Sequence, residues 1–408
     1  MIKVIKGGLE YDTSCFQQQR STLMSAPLLY RQLQKQLSQF IQPKDKRHLS
    51  VFSENVAAIL LSESSCLSRW IKFLSHRDCQ ARSHMERLSY FVNNPKITPE
   101  TFYHPILRQF LSAWEGMDVL LTLDTSVFWN EYCLIEVCLV WGGRSFPLAQ
   151  KVMEHPSATV AYSDYREVLV TAQSLLPPNC RVTLLADRGF DHGELIRWLI
   201  EQDWHWAIRA KCDLNIKRAN GYTCKVRDLI APKEQAYLFH RVTILDDIEC
   251  ELATAHLSAA GEEWMVFTDQ WASLKTFERY GERFGGIEPH FKDYQSSGFE
   301  LPDSRLRGAQ ALTTLLMLLS TAMLIAISAA IQLVANGERP SLDWHSQRGL
   351  SFFQLGLRHL QSLSYQRLPI PGLVQLPRRK PKAACASRKK RRQMECRIEF
   401  SKVTEFDA

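Results

Sequence analysis

Two aspartates stand where apolar runs stop. Asp124 closes VLLTLD (119–124) and Asp187 closes VTLLAD (182–187), the latter followed by Arg188-Gly189-Phe190. Short runs of this kind, bounded by polar turns, read as buried strands. A carboxylate at the end of such a strand is costly to desolvate unless it caps a helix, pairs with a cation or coordinates a metal. Taken singly, each is the ordinary cap or turn residue. On neighbouring strands of one sheet the two mean more, because strands ~5 Å apart bring both carboxylates to one cation. Oxygen ligation suits magnesium, and a third carboxylate would complete the site. A candidate for it lies in residues 276–301, TFERYGERFGGIEPHFKDYQSSGFEL.

The elements that must hold these residues follow from periodicity. Residues 20 to about 116 read as helical, with Leu28, Leu29, Leu33, Leu37 and Phe40 on one stripe of Pro27–Ile41. Glu54–Leu61 and Leu67–Leu74, around a Ser-rich break, give a weak helix-turn-helix signal, with Arg69 and Lys72 on the second helix; two ordinary packing helices explain it as well. Further helices are expected at Gln80–Phe91 and Pro99–Trp114. From Asp118 three strands form a meander around the Gly142-Gly143 turn, followed by a helix (Asp164–Leu175), the strand RVTLLAD, a helix from about His192 and the strand WHWAIRA. That β-β-β-α-β-α-β order predicts an α/β fold, a mixed sheet flanked by helices. Residues 211–262 alternate in short runs and read as a β-rich insertion. Helices return at Ala272, and Pro369–Ala408 reads as poorly ordered.

Charge and composition narrow the classes. The 408 residues are 45% apolar, which excludes collagen-like and largely disordered chains. The 11 cysteines show no CxxC pair, and Met1 onward lacks a signal-peptide core, so a reducing cytoplasm is expected rather than a disulfide or zinc-finger scaffold. Net charge is +7, yet Arg378–Arg392 alone holds nine Lys/Arg and no acid; without it the balance is −2. Attraction to a polyanion must therefore come from local patches and this tail, which reads equally as a DNA grip or a solvated end. Ala309–Val334 runs 26 residues without a charge, long enough to cross a bilayer, but its scattered Gln, Ser and Thr and the lack of a second such segment favour a buried core helix.

The pieces LTLDTS, LLADRGFD, WHWAIRAK, WMVFTD, then Tyr280, Arg283, Glu288 and FKDYQSSGFEL together resemble the DDE transposases of bacterial insertion sequences, specifically the IS-four type. The resemblance spans roughly residues 80–360, including RGLSFFQLGLRHL. It implies a ribonuclease-H-like core interrupted by a β-rich insertion, behind an N-terminal all-α domain. The implied organisation is a helical DNA-binding region (1–116), the first part of the core (117–210), the insertion (211–268), core helices carrying the third acid (269–336) and a C-terminal region with the basic tail (337–408). It makes Asp124, Asp187 and Glu288 a triad for two Mg²⁺ ions (Mn²⁺ as substitute), and Tyr280 and Arg283 phosphate contacts at a transposon end. Arg188 is expected to orient Asp187 or touch DNA. The implied activity is cut-and-paste transposition by nicking, hairpin formation and strand transfer. Implied partners are double-stranded DNA, both terminal inverted repeats and target, and a second copy in a synaptic homodimer, with no membrane and a cytoplasmic, nucleoid-associated location.

Two departures stand out. Four residues, Phe284 to Ile287, separate Arg283 from Glu288 where the family has three, and Gln295 stands in place of a family Lys. Gly285-Gly286 is expected to absorb the extra residue by a bulge or helix restart, with Pro289 opening a new segment. Lys292, one turn before Gln295, is the candidate substitute for the missing cation. These departures motivate a second reading, a derivative that grips transposon-end DNA without cutting it. Trp264 and Trp271 are candidate platforms for a flipped base, each weighed against core packing. Asp191 is expected to cap the next helix, and His290 is set aside as a magnesium ligand because magnesium prefers oxygen.

Overall fold

The computed structural model describes residues 28–75, 79–245, 247–257, 262–295, 298–344, 349–379 and 400–406. Helix α1 runs through 28–37 and buries Leu29, Leu33 and Leu37. Asp45 caps α2 (Lys46–Ser62), accepting from the Arg47 amide, and every residue of α2 from Ser53 to Leu60 is buried. A helix enclosed on all sides cannot lay a face into a DNA groove. The next helix, α3 (Leu67–Trp70), carries Arg69, which is engaged by Glu300 at 2.6 Å and Asp303 at 3.5 Å. The pair read as a weak helix-turn-helix is thus a packing pair. Helices α4 (Ala81–Val92), α5 (Pro99–Phe102) and α6 (His104–Leu111) complete the N-terminal layer.

Strands β1 (Asp118–Phe128), β2 (Tyr132–Trp141) and β3 (Arg144–Glu154) form the expected antiparallel meander, turned at Gly142 and Gly143, whose φ angles of 62° and 75° suit residues without a Cβ. Helix α7 (Tyr162–Leu175) leads to β4 (Arg181–Ala186), parallel to β1, and α8 (Gly193–Glu201) leads to β5 (His205–Arg209), parallel to β4. Then β6 (Asn215–Lys217), β7 (Thr223–Lys225), β8 (Gln235–Ile244), β9 (Ile248–Leu257) and β10 (Glu262–Thr268) follow. Because β10 pairs with β5, these strands prolong the same sheet, in the order β3-β2-β1-β4-β5-β10-β9-β8-β6-β7. The fold is the mixed α/β sheet flanked by helices that the strand order predicts.

Three helices follow: α9 (Leu274–Gln295), α10 (Ala309–Ala335) and α11 (Phe352–Gln366). α10 is long and apolar enough to cross a membrane, yet its most apolar window is fully buried inside the protein. It packs on β3, α2 and α11. The approach to α11 is so close at Gly356 that a Cβ there would lie 1.8 Å from the Ala326 carbonyl oxygen. The expectation of disorder beyond Pro369 fails for the described part. The Leu376 amide donates to Phe110 O at 2.7 Å, the Trp114 indole donates to Leu376 O at 2.9 Å, and β11 (Lys402–Phe406) pairs parallel with β8. Of the basic run only Arg378 and Arg379 lie within the described residues.

Candidate active site

The last register pair of β1 with β4 is Leu123 with Ala186, so Asp124 and Asp187 are the next residue on each of two adjacent parallel strands. Each carboxylate accepts from the amide that follows it: Thr125 N donates to Asp124 Oδ1 at 2.9 Å and Arg188 N to Asp187 Oδ1 at 2.8 Å. On its other side Asp124 stands opposite Glu136 of β2. The buried Arg283 guanidinium donates to Asp124 Oδ2 at 2.8 Å.

Burial dominates the electrostatics. Desolvation pushes the Asp124 carboxyl from its ordinary 3.8 up to about 6, against the pull of Arg283 and of the Thr125 amide, while the charges of Asp187 and Glu136 raise it further. A desolvated carboxylate with a second acid beside it, both offering oxygen only, fits a hard divalent cation.

Helix α9 crosses the sheet with Phe277, Tyr280, Arg283, Ile287, His290 and Tyr294 buried, a spacing of three and four that makes one face. Tyr280 lies in the core against Trp264, ring centroids 5.5 Å apart, and its hydroxyl has no hydrogen-bond partner among the described residues. Burial raises that phenol, and the charges of Arg283, Asp187, Arg209 and Asp124 all act on it. Tyr280 and Arg283 thus sit inside the fold beside the two aspartates rather than on an open phosphate-facing surface.

Glu288 is placed differently. It is exposed, off the buried face of α9 that carries Tyr280, Arg283 and Ile287. The cause is helical phase. Three intervening residues would put the acid four positions after Arg283, about 40° around the helix; four put it about 140° away. The expected bulge or restart at Gly285-Gly286 does not occur: α9 is unbroken and Pro289 lies inside it. Ile287, fully buried, takes the fourth position, and Gly286 lets the helix approach β2, since a Cβ there would meet the Val140 side chain at 3.0 Å.

Arg188 and Lys292 are exposed. Gln295 ends α9, and its side chain lies outside the described residues. Asp191 does not cap α8: His192 holds that position, while the buried Asp191 accepts from Lys211 N at 3.4 Å. Trp264 is core, packed against Tyr280 and Phe284, whereas Trp271 is 63% exposed and stacked on His240 at 3.7 Å. Sequence reasoning missed Glu136, an acid inside an otherwise apolar strand, whose signal was its breach of the run YCLIEVCLVW. It also set aside His290, which lies fully buried 3.3 Å from Glu136.

The family profile of the transposase DDE domain matches residues 136–325, a span that includes Asp187 and Glu288 and begins after Asp124. No curated protein matches. Among solved structures, a piggyBac transposase synaptic complex with hairpin DNA is similar at a TM-score of 0.42 and 9% identity, over 85% of this chain and 81% of that one. A likeness at that score carries no argument about chemistry. The profile match supports one assignment: residues 136–325 carry a transposase DDE domain.

Proposed function

We propose that this protein is an insertion-sequence transposase of the IS-four type, working by cut-and-paste transposition: binding transposon ends as a dimer, nicking, forming a hairpin and joining the element to target DNA. The observation that carries the reading is the pair Asp124 and Asp187, side by side within β1 and just past the end of β4, with Arg283 on the first of them. Asp124 and Asp187 would hold Mg²⁺, with Glu288 as the third ligand. The ions, when bound, supply a nucleophile at neutral pH and charge stabilisation at the phosphorus. Arg283 balances the Asp124 charge before DNA arrives. Lys292 and Arg188, both exposed, are available to the DNA backbone. Trp271, exposed and backed by His240, is the better placed of the two tryptophans to stack on a flipped base. For Glu288 to join the aspartates, α9 must turn about its axis beyond Gly285-Gly286.

The exposed position of Glu288 is the specific observation favouring the second reading, a derivative that binds ends without cutting. One experiment separates them. A supercoiled plasmid carrying the genomic flanks of the coding region is incubated with the protein and Mg²⁺. Nicking by wild type, lost in Asp124→Asn with end binding retained in a band-shift assay, supports the enzyme. A band shift without nicking supports the binding derivative.

A further inference from the structure

The underside of α9 carries a second polar cluster, which adjoins the aspartate pair at Glu136. Glu136 and Cys138 are two residues apart on β2 and so share a face; His290 reaches them from α9. A carboxylate oxygen, the thiol sulfur and a ring nitrogen all lie within 4.8 Å of one another, and all three residues are buried. Among the described residues no lysine or arginine pairs with Glu136. Its contacts are the Gln150 amide, which donates to Oε1, and His290 Nε2 at 3.3 Å from Oε2. That separation is long for a charge-assisted hydrogen bond, ordinarily ~2.7–2.9 Å. It equals the ~3.3 Å edge between two ligands bound tetrahedrally at ~2.0–2.1 Å. His290 Nδ1 has no partner among the described residues, although the ring is fully buried. The carboxylate is braced from behind: Ser320 Oγ donates to Gln150 Oε1 at 3.1 Å and Tyr294 OH lies 2.8 Å from the same hydroxyl. Bracing of this kind is what orients a metal-binding carboxylate.

We propose that Glu136, Cys138 and His290 bind one zinc ion between β2 and α9, distinct from the Asp124–Asp187 pair. Sulfur, nitrogen and oxygen together select zinc over magnesium. A dication with one thiolate and one carboxylate sums to zero charge, which suits a buried site, and a water would take the fourth tetrahedral position. Binding releases the Cys138 proton, and the ion ties α9 to the sheet halfway between Arg283 and Gln295.

The test is metal content and spectroscopy, with no activity readout. Full-length wild type, Asp124→Asn, Cys138→Ser and His290→Gln are expressed with zinc or cobalt supplementation and purified without strong chelators. About one zinc per chain is expected in wild type and in Asp124→Asn, falling at least about tenfold in Cys138→Ser and His290→Gln with unchanged far-UV circular dichroism. Cobalt-loaded wild type should show a near-ultraviolet thiolate-to-metal band. Zinc-free wild type, or Cys138→Ser with full zinc, overturns the proposal in favour of a plain hydrogen-bonded cluster. If both ligand variants misfold, the cobalt spectrum decides: no thiolate band in wild type overturns it equally.

Discussion

Replacing Asp124 by Asn should stabilise the metal-free protein, and only above a definite pH. The Asp124 carboxyl is raised to about 6 in the fold from 3.8, burial being the largest cause. A folded state that holds the proton more tightly than the unfolded chain loses stability as pH climbs between those two values, and the loss is complete above the higher one. A shift of two units at about 1.4 kcal/mol each makes the ionised Asp124 a burden of order 3 kcal/mol at pH 8. Asn mimics the neutral acid and keeps an oxygen for Arg283. In EDTA at pH 8, Asp124→Asn should therefore melt several degrees above wild type, at roughly 2 °C per kcal/mol for a large chain. At pH 4 the two curves should coincide. Asp293, also raised to about 6 by burial, is common to both proteins and cancels in the difference. Adding Mg²⁺ should then stabilise wild type alone. Differential scanning fluorimetry across pH 4–8 reads all of this. An Asn variant equal to or less stable than wild type at pH 8 would refute the claim that desolvation governs the site.

Other expectations concern α9 and the core. Glu288→Gln should abolish nicking in the plasmid assay while leaving end binding intact; full activity would remove Glu288 from the ligand set. Gln295→Lys should restore a phosphate contact, seen as tighter end binding with a log K against log salt slope steeper by about 1. Gly356→Ala should destabilise by about 3 kcal/mol or more, because the added methyl meets a backbone carbonyl of α10 rather than a mobile side chain. Urea denaturation checks this, and a midpoint unchanged from wild type would contradict the packing described.

What could be read from sequence, and what could not, divides along physical lines. Asp124 and Asp187 were legible because acids that break leucine-rich runs are a local signal, and the strand order made β1 and β4 neighbours; the expected strand end at Asp124 was not met, since β1 continues to Phe128. The buried state of α10 followed from its scattered hydroxyls. The phase of α9 was not legible. A bulge at Gly285-Gly286 and an unbroken helix are both compatible with the local residues, and only contacts with Val140 and the sheet select the second. The Glu136–His290 pairing was hidden for the same reason, since 154 residues separate its partners. Residues 211–262 were legible as strands but not as a prolongation of the main sheet, because the pairing of β10 with β5 is a long-range fact.

The burial of α10 also bears on how the chain is made. Of the elements that pack on it, β3, α2, α4 and α5 precede it and α11 follows. As this greasy segment leaves the ribosome, most of its cradle already exists, so it can seat at once against folded surface. Membrane-insertion machinery, which samples emerging segments by hydrophobicity, meets a competitor built earlier in the same polypeptide. The order of elements along the chain thus protects a helix whose composition alone would send it into a bilayer.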